Sequence, residues 1–236
     1  MVLEHELIAR EGPQDRLLLL IHGYGESTAP MTDRLDLIDP EGRFVALVPR
    51  APFTHKGADI WHRALFGNAD DAVEQYHSSL ARLGGLVDEV CARDGFDPAE
   101  AVFAGFSQGG GLAIGLGLAT AERPRPAGCI GWCAFAPPIE GLAIRRGRVA
   151  GLPVLLTSSH DDVFIGIDSS RQSAAVLRDL GVDLSFVEVH TGHRLTDELA
   201  KVAGAWLGGE AVGRSTDGID AGDFAAWIHD LWDLTE

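Results

Sequence analysis

Ala101-Val102-Phe103-Ala104-Gly105-Phe106-Ser107-Gln108-Gly109-Gly110 sets a short apolar run directly before a serine flanked by glycines. The run has strand length, and the glycines pass into Leu112-Ala113-Ile114-Gly115-Leu116, which reads as a small-residue apolar helix. A sharp strand-to-helix turn with a serine at its apex needs small residues at 105 and 109, where side chains would collide with neighbouring backbone. Such a turn lifts Ser107 Oγ clear of a sheet and leaves it near a helix N-terminus, whose N–H groups and dipole favour developing negative charge. In a chain with 29 glycines the pentapeptide alone arises readily by chance, so its weight comes from its surroundings.

Working outward, strand-length apolar runs alternate with longer amphipathic stretches. Leu17-Leu18-Leu19-Leu20-Ile21 reads as a strand buried on both faces, and Phe44-Val45-Ala46-Leu47-Val48 as another, ended by Pro49. Residues 70–93 carry Val73, Tyr76, Leu80, Leu83, Val87 and Val90 at helical spacing, with Gly84-Gly85 weighing against one unbroken helix. Further strands are expected at residues 127–135, 154–157 and 184–189. Helices are expected at 169–180, ended by Gly181 in a left-handed C′ position, and at 196–207. Strands separated by helices predict one α/β domain over residues 1–207, a mainly parallel sheet with helices on both faces. The G-x-S-x-G turn specifies the α/β-hydrolase version of that architecture.

The partners of Ser107 follow from chain order. His22-Gly23-Tyr24-Gly25-Glu26-Ser27 succeeds the first buried strand, where this fold supplies one donor to a tetrahedral oxyanion. Tyr24 N–H and Gln108 N–H are the expected pair, and His22 reads as structural. The general base must follow the acid, and His193 in Thr191-Gly192-His193-Arg194 lies at the C-terminal end of the alternating strand, where open α/β sheets display functional groups. His190 is its competitor, without a preceding glycine. The orienting acid should follow the strand at 154–157, and Ser158-Ser159-His160-Asp161-Asp162 offers two adjacent carboxylates that the residues alone do not separate. His and Asp are also metal-ligand types, but no H-E-x-x-H or paired-cysteine pattern is present, so neither a metal nor an organic cofactor is expected.

Taken together, His22-Gly23-Tyr24-Gly25-Glu26-Ser27, Gly105-Phe106-Ser107-Gln108-Gly109-Gly110, Asp161-Asp162-Val163 and Gly192-His193 resemble the phospholipase/carboxylesterase family, which includes the acyl-protein thioesterases. Pro49-Arg50-Ala51-Pro52 and Trp61 resemble that family's loop over the acyl pocket, and the resemblance covers about residues 14 to 207. It implies a serine esterase, thioesterase or lysophospholipase type of enzyme, acting on short-to-medium carboxylic esters or thioesters without a cofactor. It also implies Ser107 as nucleophile, His193 as base, Tyr24 and Gln108 as oxyanion donors, and Trp61 on the acyl side, with Leu65 and Phe66 as looser candidates. Matched by the hydrophobic pair Val163-Phe164, it selects Asp161 as the acid. The family's proline shortly after the acid is absent here, where Ile165-Gly166 stands instead.

A net charge of -16 excludes binding to nucleic acid through phosphate neutralisation. The first residues lack a basic segment followed by a long apolar one, and no run is long enough to span a bilayer, so no membrane insertion is expected. Cys91, Cys129 and Cys133 are odd in number and lack framework spacing, which fits a reducing cytoplasm. Residues 208–236 form an acidic extension in which Phe224, Trp227, Ile228 and Leu231 make a helical apolar stripe. That helix is expected to dock on the domain, with a homodimer contact or a cover over the site as alternatives. The rival readings are another acyl hydrolase, such as an amidase or a dienelactone hydrolase, which normally carries Cys where Ser107 stands, and a catalytically silent binding protein. An intact Ser, acid and His set counts against the last.

Overall fold

Each residue of the strand at 17–21 faces the opposite side from its neighbour, and both sides are packed. Leu17, Leu19 and Ile21 belong to one buried cluster and Leu18 and Leu20 to a second. The computed structural model describes residues 3–63, 69–119, 123–136 and 142–212. In chain order the elements are β1 (His5–Ile8), β2 (Arg16–Ile21), α1 (Ala29–Thr32), α2 (Leu35–Ile38) and β3 (Phe44–Pro49). A small hairpin, β4 (Phe53–His55) and β5 (Ala58–Ile60), leads to α3 (Ala69–Asp94), β6 (Val102–Phe106), α4 (Gln108–Leu118) and β7 (Gly128–Trp132). Then come α5 (Arg146–Val149), β8 (Pro153–Ser159), α6 (Ile167–Asp179), β9 (Asp183–Val189) and α7 (Asp197–Leu207).

Among the described residues the main sheet has seven strands in the order β1-β3-β2-β6-β7-β8-β9, and of these β1 alone runs antiparallel to its neighbour. One face is covered by residues of α3, α4 and α6, including Leu83, Leu112 and Leu177. The other is covered by α1, α2 and α7 through Met31, Ile38 and Leu199. Parallel strands buried on both faces explain why their sequences are continuous apolar runs rather than alternating ones. The chain passes from β2 outward to β3, then returns to place β6 on the other side of β2. The crevice at such a reversal, beyond the C-terminal strand ends, is where an open α/β sheet holds its functional groups.

The helix expected over residues 70–93 is a single helix through both glycines. The Arg123 guanidinium lies where a Gly84 side chain would stand, and it pairs with Asp88 at 3.1 Å, so Gly84 is a packing position rather than a break. The end of α6 is as expected, with Gly181 at φ +81° after the cap residue Leu180. Thr196 caps α7 by accepting the Leu199 N–H. The apolar stripe from Phe224 to Leu231 lies outside the described residues.

Candidate active site

Strand β6 ends at Phe106, and the next residue, Ser107, takes φ 53° and ψ −117°, a conformation that L-residues enter only under constraint. The constraint is the close packing of backbone around it. A Cβ at Gly105 would collide with the Gly109 carbonyl group, and one at Gly109 would collide with the carbonyls of Ile21 and His22. The glycines therefore let α4 begin directly against the end of β2. Ser107 is held from behind by its N–H to Trp132 O at 2.8 Å, while its own carbonyl accepts the Gly110 and Gly111 N–H groups. Gln108 is the first residue of α4, where the helix offers its N–H no acceptor.

Three side chains from three strand ends form one hydrogen-bonded line. His193 Nε2 lies 2.9 Å from Ser107 Oγ, and His193 Nδ1 lies 2.6 Å from Asp162 Oδ2. The Asp162 side chain is fully buried. Burial alone would raise its carboxyl pKa, but the hydrogen bonds from His193 and from the Ile165 and Phe164 N–H groups pull it below the ordinary carboxylate value. The carboxylate is thus held ionised and acts as acceptor to Nδ1–H, which leaves Nε2 as an acceptor toward the serine hydroxyl. The His193 ring packs between Phe106, with centroids 4.9 Å apart, and Phe164, at 5.2 Å.

The carboxylate on His193 is Asp162, and the expectation of Asp161 is corrected. Asp162 N–H closes a turn onto Ser159 O, and Asp162 Oδ1 accepts Phe164 and Ile165 N–H at 2.9 and 2.8 Å. This turn aims the second oxygen inward at the imidazole. Asp161, one residue earlier, points outward and lies 3.4 Å from His190 Nδ1, both side chains largely exposed. His190 in turn stacks on His160, at 4.6 Å between centroids. Two Asp–His pairs therefore stand side by side, an exposed one and a buried one, and only the buried pair reaches Ser107.

Ser159 carries a role that residue type did not signal. Its buried Oγ accepts the N–H groups of Thr191 at 3.0 Å and Gly192 at 2.9 Å, and of Asp161 at 3.3 Å. One hydroxyl thereby ties the acid loop to the histidine loop. A serine at the end of a strand has many uses, and nothing in the pattern marks this one.

The loop after β2 matches expectation in position. Tyr24 and Gly25 are the central residues of a turn in which Glu26 N–H donates to Gly23 O at 3.4 Å, and Gly25 N–H donates to Asp59 O at 2.8 Å. His22 is structural: Nδ1–H donates to Gly23 O, Nε2 accepts Ala51 N–H, and burial lowers its pKa. Glu26 folds back beside Gly23. Burial raises its carboxyl pKa, opposed by the charge of His193 and the Gly23 N–H.

Trp61, expected on the acyl side, is fully buried and exposes no surface to a cleft. Its indole N–H donates to His22 O at 2.9 Å, so it braces the loop after β2 from behind. Leu65 and Phe66 lie outside the described residues. The Gln108 side chain joins this brace, accepting Trp61 N–H at 2.9 Å and donating to His62 O at 2.8 Å. Replacing Gln108 with alanine is expected to lower stability by about 3 kcal/mol, because two buried backbone groups lose their partners. Urea unfolding of Gln108→Ala against Gln108→Glu, which keeps one acceptor, measures this.

Among the described residues, one set of three metal-type ligands lies within 4.8 Å: Cys133, Asp162 and His193. Asp162 and His193 are already engaged with each other and with Ser107. Burial, with Asp162 and Glu26 nearby, pushes the Cys133 thiol up to about 12, so it stands as an inert neutral thiol. All three cysteines are free and buried, and no described helix is long and apolar enough to cross a membrane.

Comparison with known proteins agrees with this fold. The Bacillus cereus carboxylesterase superposes with a TM-score of 0.76 at 19% identity, over 88% of this chain and 94% of that one. The acyl-protein thioesterase 2 of Zea mays gives 0.72 at 19% identity, over 87% and 98%. MhqD of Bacillus subtilis (strain 168) is 24% identical over 199 residues, covering 84% of this chain and 96% of its own. These likenesses establish the shared α/β-hydrolase fold, and the sequence profile described as phospholipase/carboxylesterase matches residues 3–204. The chain therefore belongs to the phospholipase/carboxylesterase family.

Proposed function

We propose that the protein is a serine carboxylesterase that hydrolyses short-to-medium acyl esters or thioesters through an acyl-enzyme. The observation that carries this reading is the continuous line Asp162 Oδ2, His193 Nδ1, His193 Nε2, Ser107 Oγ, with links of 2.6 and 2.9 Å. His193 takes the hydroxyl proton as Oγ attacks the carbonyl carbon, and Asp162 steadies the imidazolium without taking its proton. Gln108 N–H and Tyr24 N–H receive the oxyanion, each donor lowering the barrier by about 3 kcal/mol. Collapse returns the proton from Nε2 to the departing alcohol or thiol. Water, deprotonated by the same imidazole, then attacks the acyl-enzyme and frees the acid. This sequence needs no cofactor. Family membership and the likeness to a carboxylesterase and a thioesterase support the reaction class. Three free thiols support a reducing, cytoplasmic setting.

The test is turnover of p-nitrophenyl acetate and butyrate together with fluorophosphonate labelling. A burst of p-nitrophenolate, with Ser107 identified as the labelled residue, is expected. No turnover and an unlabelled Ser107 would favour the silent binding protein instead.

A further inference from the structure

The two most exposed large apolar side chains among the described residues are adjacent. Val163 is 86% exposed and Phe164 is 69% exposed, whereas Leu7 and Val73, the others of this kind, reach only 38% and 43%. They form the tip of the acid loop, between Asp162 and Ile165, which are both buried. The tip is held out by its anchors: Asp162 Oδ1 accepts the consecutive N–H groups of Phe164 and Ile165. Loop tips of this kind favour Gly, Asn, Asp and Ser, so a Val-Phe pair in water is a cost that needs a return.

The position of the tip relative to the chemistry indicates what covers it. In the tetrahedral intermediate the oxyanion lies toward Gln108 N–H at the start of α4. The departing oxygen or sulfur must lie beside His193 Nε2, because that atom protonates it. The group attached to the departing atom therefore extends along the imidazole. Phe106, buried, occupies one side of that ring, and Phe164 flanks it at 5.2 Å with most of its surface open.

We propose that Val163 and Phe164 form an apolar lip that binds the alcohol or thiol moiety of the substrate, so that the enzyme selects esters with extended apolar alcohol portions. This rests on Ser107 acting as the acylated nucleophile. The lip works in acylation alone, since the alcohol has left before water attacks. Its contribution consequently appears in kcat/KM and not in the hydrolysis of a given acyl-enzyme.

The experiment uses acetate esters of straight-chain primary alcohols from ethyl to hexyl, whose leaving-group chemistry is uniform, followed by acid release in a pH-stat. For the wild type, kcat/KM is expected to rise about twofold per methylene, half of what full burial would give. In V163S/F164S the rates, each taken relative to that variant's own ethyl acetate rate because Phe164 also packs on His193, are expected to be flat along the series, while F164L keeps most of the slope. For ethyl esters of longer acids, taken relative to ethyl acetate in the same way, wild type and variant are expected to give the same profile. A flat slope in the wild type, an undiminished relative slope in V163S/F164S, or an equal flattening of the acyl series would overturn the lip while leaving the hydrolase reading intact. Absence of any turnover, with Ser107 unlabelled by a fluorophosphonate, would overturn both.

Discussion

Replacing Ser107 with alanine is expected to lower kcat for p-nitrophenyl butyrate by about 10⁶, and His193→Ala by a similar factor. Ser107 Oγ and His193 Nε2 are 2.9 Å apart, and in the proposed mechanism they act as one unit, in which the imidazole activates the hydroxyl. Removing either leaves the other without a task, so the double variant should lose no more than a single one. Residual turnover should remain above the rate in water, because Gln108 N–H still caps the oxyanion site at the start of α4. Alanine keeps the backbone of the elbow and the Trp132 contact, so the melting transition should not shift. Turnover within tenfold of wild type in Ser107→Ala would refute the assignment.

The second result expected is an asymmetry between two neighbouring aspartates. Asp162→Asn should lower kcat by about 10⁴, since an amide N–H facing Nδ1 forces the tautomer in which Nε2–H points at the serine and cannot accept its proton. Asp161→Asn should change kcat by less than about threefold, because an exposed contact with His190, away from Ser107, contributes little. Steady-state rates of the two variants decide the matter, and a larger loss at Asp161 would overturn the geometry-based choice. Stability has a defined sign as well. The Asp162 pKa is depressed in the folded protein, so its contribution is complete above the unfolded value near 3.8 and disappears as pH falls through the lower folded value. Acid titration of Asp162→Asn should therefore show a weaker loss of stability in that range than the wild type.

The residue-level reading succeeded where a short segment carries its own physical requirement. The strand at residues 17–21 had to be buried on both faces because every position is apolar. The elbow glycines had to be glycines because the carbonyls of Gly109, Ile21 and His22 stand where their side chains would be. His193 was legible from chain order and from its place after β9. The acid was not. Asp161 and Asp162 are the same residue type one position apart, and pattern matching by Val163-Phe164 selected the one that faces His190 rather than His193. What separates them is the phase of the turn after β8, set by the Asp162 N–H to Ser159 O bond and by the two amides gathered on Asp162 Oδ1.

Trp61 failed for a related reason. A tryptophan near a site is equally suited to lining a pocket or bracing a loop, and the hydrogen bond of its indole N–H to His22 O decides for the brace. Ser159 and the Gln108 side chain escaped notice because their partners are backbone groups, which no sequence pattern displays.

The amino-acid sequence on its own determines the α/β alternation, the elbow at Ser107 and the histidine loop, because burial periodicity, steric need for glycine and chain order are local properties. Tertiary structure alone decides which carboxylate meets the imidazole, which loops Gln108 and Ser159 fasten together, and that Phe164 stands open beside His193. Those outcomes depend on angles and distances between segments 31 to 86 residues apart, which close packing sets to within ångströms and no run of letters records.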